Sequence, residues 1–130
     1  MKLASAPQHR AAGRVLAIAS GKGGVGKTTL AVGMARALSL MDERVLLMDG
    51  DLGMANIDVQ LGLQPRADIV NVLNGKTSLE DAVCPAIGGA AERGGFDVIS
   101  GRSGSGALAN LSGPGLTKLA TGVAALALSY

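Results

Sequence analysis

An α/β fold, a mostly parallel sheet flanked by helices, is predicted by three observations. A short apolar run, Arg14 to Ala19, leads directly into a glycine-rich loop, and a helical pattern follows the loop. A second apolar run, Arg44 to Met48, ends in acidic residues. Near-continuous apolar runs mark strands buried on both faces, and strands alternating with helices are the pattern of a parallel sheet.

The first run, Arg-Val-Leu-Ala-Ile-Ala, has β-branched Val15 and Ile18 and reads as a buried strand. The loop after it, with the start of the next helix, reads Ser-Gly-Lys-Gly-Gly-Val-Gly-Lys-Thr-Thr-Leu, and Gly21 to Thr28 fit the phosphate-binding pattern GxxxxGK[ST] at every fixed position. A triphosphate has to be wrapped closely by backbone. Glycines at 21, 23, 24 and 26 permit the positive φ values and close approach that turn successive N–H groups inward. Lys27 brings a compact positive charge to the β- and γ-phosphates, Thr28 offers its hydroxyl to Mg²⁺, and the helix that begins here aims its positive end at them. The candidate nucleotide-binding residues are therefore Gly21, Lys22, Gly23, Gly24, Val25, Gly26, Lys27, Thr28 and Thr29, in a P-loop NTPase fold. Leu30, Met34 and Leu38, with Ala31 and Ala35 beside them, make one apolar face of a helix running to about Met41.

Arg44 to Met48 is the second buried strand, and Asp49 and Asp51 stand at its carboxyl end. Ligands of open α/β sheets bind at that edge, so these carboxylates can meet Mg²⁺ and water beside the loop. The same two residues can also act as loop caps through Asx turns. Asn56 and Asp58 equally suit the start of a helix.

Lys22 is not required by an ordinary P-loop. The run Lys-Gly-Gly-Val-Gly-Lys-Thr, residues 22–28, resembles the deviant Walker A signature, KGGxGK[ST], of the MinD/ParA group of dimerising ATPases. The resemblance implies that Lys22 reaches across an ATP-dependent homodimer to phosphates bound in the partner, as an arginine finger does. It further implies that Asp51 orients the attacking water, that Asp49 lies near the metal with Thr28, and that Asn56 makes a polar contact in the first switch. Lys22, Lys27 and Asp51 are then the catalytic candidates, Thr28 and Asp49 the metal-side ones, and ATP and Mg²⁺ the ligands. Residues 51–65, 67–81 and 97–112 are most similar to the FlhG (FleN) branch, which regulates flagellar number and placement. The partners so implied are the FlhF GTPase and flagellar basal-body components. Gln8 and Arg10 are the leader residues in common with an FlhF-stimulating motif, whose usual Asp-Gln-Ala opening is absent.

The resemblance spans residues 14 to 128, and 130 residues are about half of what such a domain needs. The chain accordingly reads as an amino-terminal part, with residues 1–13 a flexible leader and 14–130 the start of the nucleotide-binding domain. The implied next element is the Walker B strand with its second switch, and the last acidic residue here is Asp97. In related ATPases that strand lies between the 14–19 and 44–48 strands or beside the first, so a gap in the sheet is expected. Lys118 to Tyr130 reads as a helix, and the glycine-rich stretches 88–95 and 101–106 as loops.

Composition narrows the classes further. Hydrophobic residues make up 48% and charged residues 17%, which suits a packed domain built from Leu, Val, Ile, Met and Ala, since Phe96 and Tyr130 are the only aromatics. The net charge of +2 is spread without basic runs, so nucleic-acid binding has no support. One cysteine, Cys84, allows no internal disulfide and points to a reducing, cytoplasmic setting; it also excludes the bridging clusters of iron–sulfur relatives and reads as a small apolar residue at a helix end. His9 has no second ligand near it. The apolar stretch 116–128 is too short to cross a membrane, so membrane contact rests on a family helix that this sequence does not include. Two other readings stay open: a nucleotide- or partner-binding fragment without turnover, and a P-loop amide ligase of the cobyrinic acid synthase or dethiobiotin synthase type.

Overall fold

The computed structural model describes residues 13–51, 54–104 and 110–130. In chain order they form α1 (Lys27–Leu40), β1 (Leu46–Met48), α2 (Ile57–Leu61), α3 (Ile69–Leu73), β2 (Cys84–Ala86), β3 (Phe96–Ile99) and α4 (Gly113–Ala127). Phe96 to Ile99, β-branched and aromatic with one acid between them, becomes the middle of the sheet. Phe96, Val98 and Ile99 have no exposed surface, because β3 has a strand on each edge and a helical layer on each face.

The sheet is mixed, in the order β1-β3-β2. β1 runs parallel to β3, pairing Leu46 with Asp97, Leu47 with Val98 and Met48 with Ile99. β2 runs antiparallel to β3, pairing Cys84 with Val98 and Ala86 with Phe96. On one face Ala35, Ile57, Ala86, Phe96 and Val98 form a core with α1 and α2. On the other, Ile69, Val70, Leu79, Ile99, Leu119 and Leu126 form a second core with α3 and α4. Alternation along β3 assigns Phe96 and Val98 to the first face and Ile99 to the second, as the two-residue period of a strand demands.

Two of the helices, α3 and α4, start where a side chain supplies the cap. Asp68 and Asn71 form a reciprocal capping box at α3, with Asn71 N–H on Asp68 Oδ1 at 3.0 Å and Asp68 N–H on Asn71 Oδ1 at 3.1 Å. Arg102 fixes the same Asp68 through a contact of 2.7 Å. At α4 the Ser112 hydroxyl accepts Gly115 N–H at 3.3 Å and Pro114 stands in the first turn, so this helix begins five residues before the periodicity alone places it. Ser39, buried in the last turn of α1, donates to Glu92 C=O at 3.3 Å and accepts Gly94 N–H at 2.9 Å, which ties the helix to the loop that leads into β3.

Three expectations need correction. Arg14 to Ala19 forms no strand and pairs with none among the described residues, and Val15 and Leu16 are 66% and 68% exposed. β propensity makes a segment extended; a strand additionally needs a neighbour about 4.8 Å away. β1, which the gap argument separates from this run, lies at the edge of the sheet. Second, α1 packs on the sheet through Val32, Ala35 and Ser39, while Leu30, Gly33, Met34 and Ala37 line an open apolar groove of about 570 Å³. Small side chains win the sheet-facing position because they let the helix approach closely, so α1 is apolar on two sides. Third, Cys84 begins the edge strand β2 and is not at a helix end. Burial, followed by the charge of Asp97, raises its thiol pKa.

Asp97 gathers the end of the fold. Its Oδ1 accepts Ala90 N–H at 3.0 Å and its Oδ2 accepts the Tyr130 hydroxyl at 2.6 Å, with the Arg44 guanidinium 5.5 Å from the centre of the tyrosine ring. Burial first, then this hydrogen bond and the Asp97 charge, push the Tyr130 pKa well above its ordinary value, with Arg44 pulling weakly the other way. A raised folded-state pKa means that the contribution is complete below the ordinary tyrosine value of about 10 and is lost as pH climbs from there toward the raised one. Tyr130→Phe is expected to cost about 1 kcal/mol in urea unfolding at neutral pH. The wild-type advantage over Tyr130→Phe should shrink as unfolding is repeated above about pH 10.

Candidate functional site

The loop before α1 owes its shape to two backbone positions. Gly24 and Gly26 have φ of 71° and 91°, values open to glycine and strained for other residues. A Cβ on Gly21 or Gly23 would meet no atom within 4 Å, so these two glycines keep the space over the loop clear and relieve no protein contact. Ser20 braces the entry, its hydroxyl accepting Lys22 N–H and donating to Lys22 C=O, both at 3.2 Å.

Gly26 is the N-cap residue of α1, no side chain caps the helix, and no acidic residue stands in its first turn. The Leu30 N–H is the one that bonds back to Gly26 C=O, at 2.9 Å. The N–H groups ahead of it therefore end the helix with a concentrated positive potential. Lys27 and Thr28 are half-buried at this terminus, while Lys22, Val25 and Thr29 are exposed. Open space over the glycines, uncapped N–H groups and two lysines with no nearby acid on the same element are what a phosphate chain requires.

Asp49 stands at the far end of β1, where Asp49 N–H bonds Ile99 C=O at 3.0 Å and extends the ladder by one rung. The residue is 8% exposed and its carboxylate holds backbone amides. Oδ1 accepts Asp51 N–H at 3.1 Å, and Oδ2 accepts Asn56 N–H at 3.1 Å and Ile57 N–H at 3.2 Å, which satisfies the start of α2. Asp51 is exposed and its Oδ1 accepts Met54 N–H at 3.0 Å. Both carboxylates thus make the local turn contacts weighed for them, at the sheet edge that ligands use. Asn56 is the N-cap residue of α2 without a side-chain cap bond, and Asp58 lies in the first turn.

Two residues of this region carry no sequence signal. Gln60 Nε2 donates to Thr29 Oγ1 at 3.3 Å, joining α2 to the loop helix across 31 positions. A Cβ at Gly101 would lie 2.5 Å from Ala55 Cβ and 3.1 Å from Asp49 C=O, so glycine alone lets the chain leave β3 against the turn that holds Asp49. Long-range contacts of this sort have no periodicity to betray them.

Among the described residues no group of three or more His, Cys, Asp or Glu converges. A divalent cation here would be shared between phosphate oxygens and one or two side-chain oxygens, Thr28 Oγ1 and the Asp49 carboxylate being the candidates, which is the habit of Mg²⁺. Among the described residues no helix is long and apolar enough to cross a membrane.

Asp49→Ala is expected to destabilise the fold by about 2–3 kcal/mol, because it leaves backbone N–H groups of α2 without an acceptor. Urea unfolding measures the loss, and amide exchange should accelerate first at Asn56 and Ile57.

Comparison with known proteins places this geometry. A family model described as the CobQ/CobB/MinD/ParA nucleotide binding domain matches residues 16–129. The antiactivator FleN of Pseudomonas aeruginosa is 46% identical over 76 residues, which are 58% of this chain and 27% of that protein. The crystal structure of the cell division ATPase MinD of Pyrococcus furiosus superposes with a TM-score of 0.68 at 31% identity, over 87% of this chain and 45% of that one. The septum site-determining protein MinD of Pyrococcus horikoshii, complexed with Mg-ADP, gives 0.62 at 30% identity, over 80% and 41%. The chain thus spans less than half the length of the proteins it matches.

Proposed function

Because the chain belongs to the CobQ/CobB/MinD/ParA nucleotide-binding domain family, we propose that it binds Mg-ATP at Gly21–Thr29 and acts as a dimerisation-switched ATPase of the kind that regulates flagellar number and placement. The observation that carries the reading is the uncapped start of α1, entered through left-handed Gly24 and Gly26 and flanked by Lys22 and Lys27. The Mg-ADP bound in the Pyrococcus horikoshii relative and the name of the Pseudomonas relative support it from outside.

In this reading the loop N–H groups and Lys27 hold the β- and γ-phosphates and neutralise charge that develops as water attacks in line. Asp51 orients that water, and Lys22 contributes its charge to the site of a second copy. Thr28, with Asp49 as the candidate neighbour, would hold Mg²⁺, which would supply further neutralisation of the phosphate oxygens. Partners follow from the same reading: a second copy of the chain, then FlhF-type GTPases and basal-body components.

A second reading, nucleotide binding without turnover, is favoured by one observation. The Arg14–Ala19 run that leads into the loop is outside the sheet, so the loop is anchored through α1 and through Gln60 on Thr29. Loss of rigidity there weakens transition-state positioning more than it weakens ground-state binding.

Equilibrium binding of a fluorescent ATP analogue with Mg²⁺ tests the proposal. Lys27→Ala should abolish binding, and Lys22→Ala should leave monomer binding intact while removing nucleotide-dependent dimers in light scattering. Wild-type binding that survives Lys27→Ala would refute the phosphate assignment, and dimers that survive Lys22→Ala would refute the trans role.

A further inference from the structure

Ser39, Asp49 and Ser100 are the buried polar or charged residues among those described. Ser39 is bonded at both ends, to Glu92 and Gly94, and Asp49 holds three amides. Ser100 differs. It has no exposed surface, and its Oγ has no hydrogen-bond partner among the described residues. Its backbone is in order, with Ser100 C=O accepting Ile69 N–H at 2.9 Å. Buried hydroxyls are rarely left unpartnered in native proteins, and each such group weakens the fold that contains it. An alanine there would fill the site at no such cost.

The register says what the hydroxyl can reach. Met48 pairs with Ile99 in parallel and Asp49 N–H continues the ladder onto Ile99 C=O, so Asp49 and Ser100 occupy the next rung. Leu47 and Val98, two positions earlier on each strand, both face the α1 and α2 core, and alternation puts Asp49 and Ser100 on that same side. The rest of this face is apolar: Ala35, Ile57, Ala86, Phe96 and Val98. Asp49 is the one charged group buried on it. A carboxylate offers about four lone-pair positions, and three are taken by amides of Asp51, Asn56 and Ile57.

We propose that Ser100 is a positioning residue for Asp49, its hydroxyl taking over the carboxylate when Asp49 releases the amides of Asn56 and Ile57. The proposal rests on the nucleotide-binding reading above, since phosphate and Mg²⁺ at the start of α1 are what draw the carboxylate from α2. An ionised carboxylate that gives up two donors in a buried setting needs another, and Ser100 is the donor held in reserve. The cost of burying the hydroxyl falls on the nucleotide-free arrangement and is recovered in the bound one. The pair therefore biases an equilibrium: α2 is held by Asp49 in one state and let go in the other.

That arrangement gives Ser100→Ala opposite effects on the two states, which a merely structural serine would not have. Without nucleotide, the melting temperature of Ser100→Ala should equal or exceed that of the wild type. With Mg-ATP, affinity should fall about tenfold, the worth of one hydrogen bond to a charged group. In the wild-type chain Mg-ATP should speed amide exchange at Asn56 and Ile57, and in Ser100→Ala that response should be lost. Ser100→Cys keeps the volume with a far weaker donor and should follow alanine. A lower nucleotide-free melting temperature in Ser100→Ala would overturn the proposal, as would unchanged affinity with an unchanged exchange response. If the wild-type chain shows no Lys27-dependent Mg-ATP binding, the nucleotide reading falls and this proposal with it. Intact binding that is indifferent to Ser100 overturns the Ser100 role alone.

Discussion

The burial of β3 is the constraint on which the rest of this structure hangs. Phe96, Val98, Ile99 and Ser100 have no exposed surface, and the neighbouring elements pack against that strand. β1 and β2 take its two edges, α1 packs over Phe96 and Val98, and α4 packs over Ile99. Burying a side chain such as Phe96 contributes about 2–3 kcal/mol, more than any surface ion pair here can offer. Arg93 and Asp42, both largely exposed at 3.6 Å, illustrate the weaker class.

Because β1 is held parallel to β3, the ends of the two strands arrive together at one edge of the sheet. Asp49 and Ser100 come to the same rung there, and the chain that follows Asp49 is folded back onto its carboxylate. The functional edge is thus built from backbone amides gathered by a single buried acid. The same acid is the candidate neighbour of the metal in the proposed nucleotide site. Residues at functional sites commonly serve in this double way, and the cost shows as a polar group without a partner.

The other face of the site is looser. The glycine-rich loop is joined to the body through α1 and the contact between Gln60 and Thr29, while the run that enters it stays outside the sheet. α1 itself is apolar on two sides, one against the sheet and one along the groove of Leu30, Gly33, Met34 and Ala37.

Sequence alone determined the local chemistry: the glycine-rich loop with its lysines and threonine, the helix after it, the strand at 44–48, and the acidic residues at the strand end. These are short-range properties, fixed by φ preferences, charge and periodicity within a dozen residues. Tertiary structure decided the rest. It left Arg14 to Ala19 unpaired, turned α1 onto Val32, Ala35 and Ser39 in place of Leu30 and Met34, made Cys84 a strand residue, and set Asp49 beside Ser100 across 51 positions of chain. An apolar run becomes a strand, and an apolar stripe becomes a core face, only when a partner from elsewhere in the chain lies against it. Periodicity reports what a segment can bury; the partner decides what it does bury.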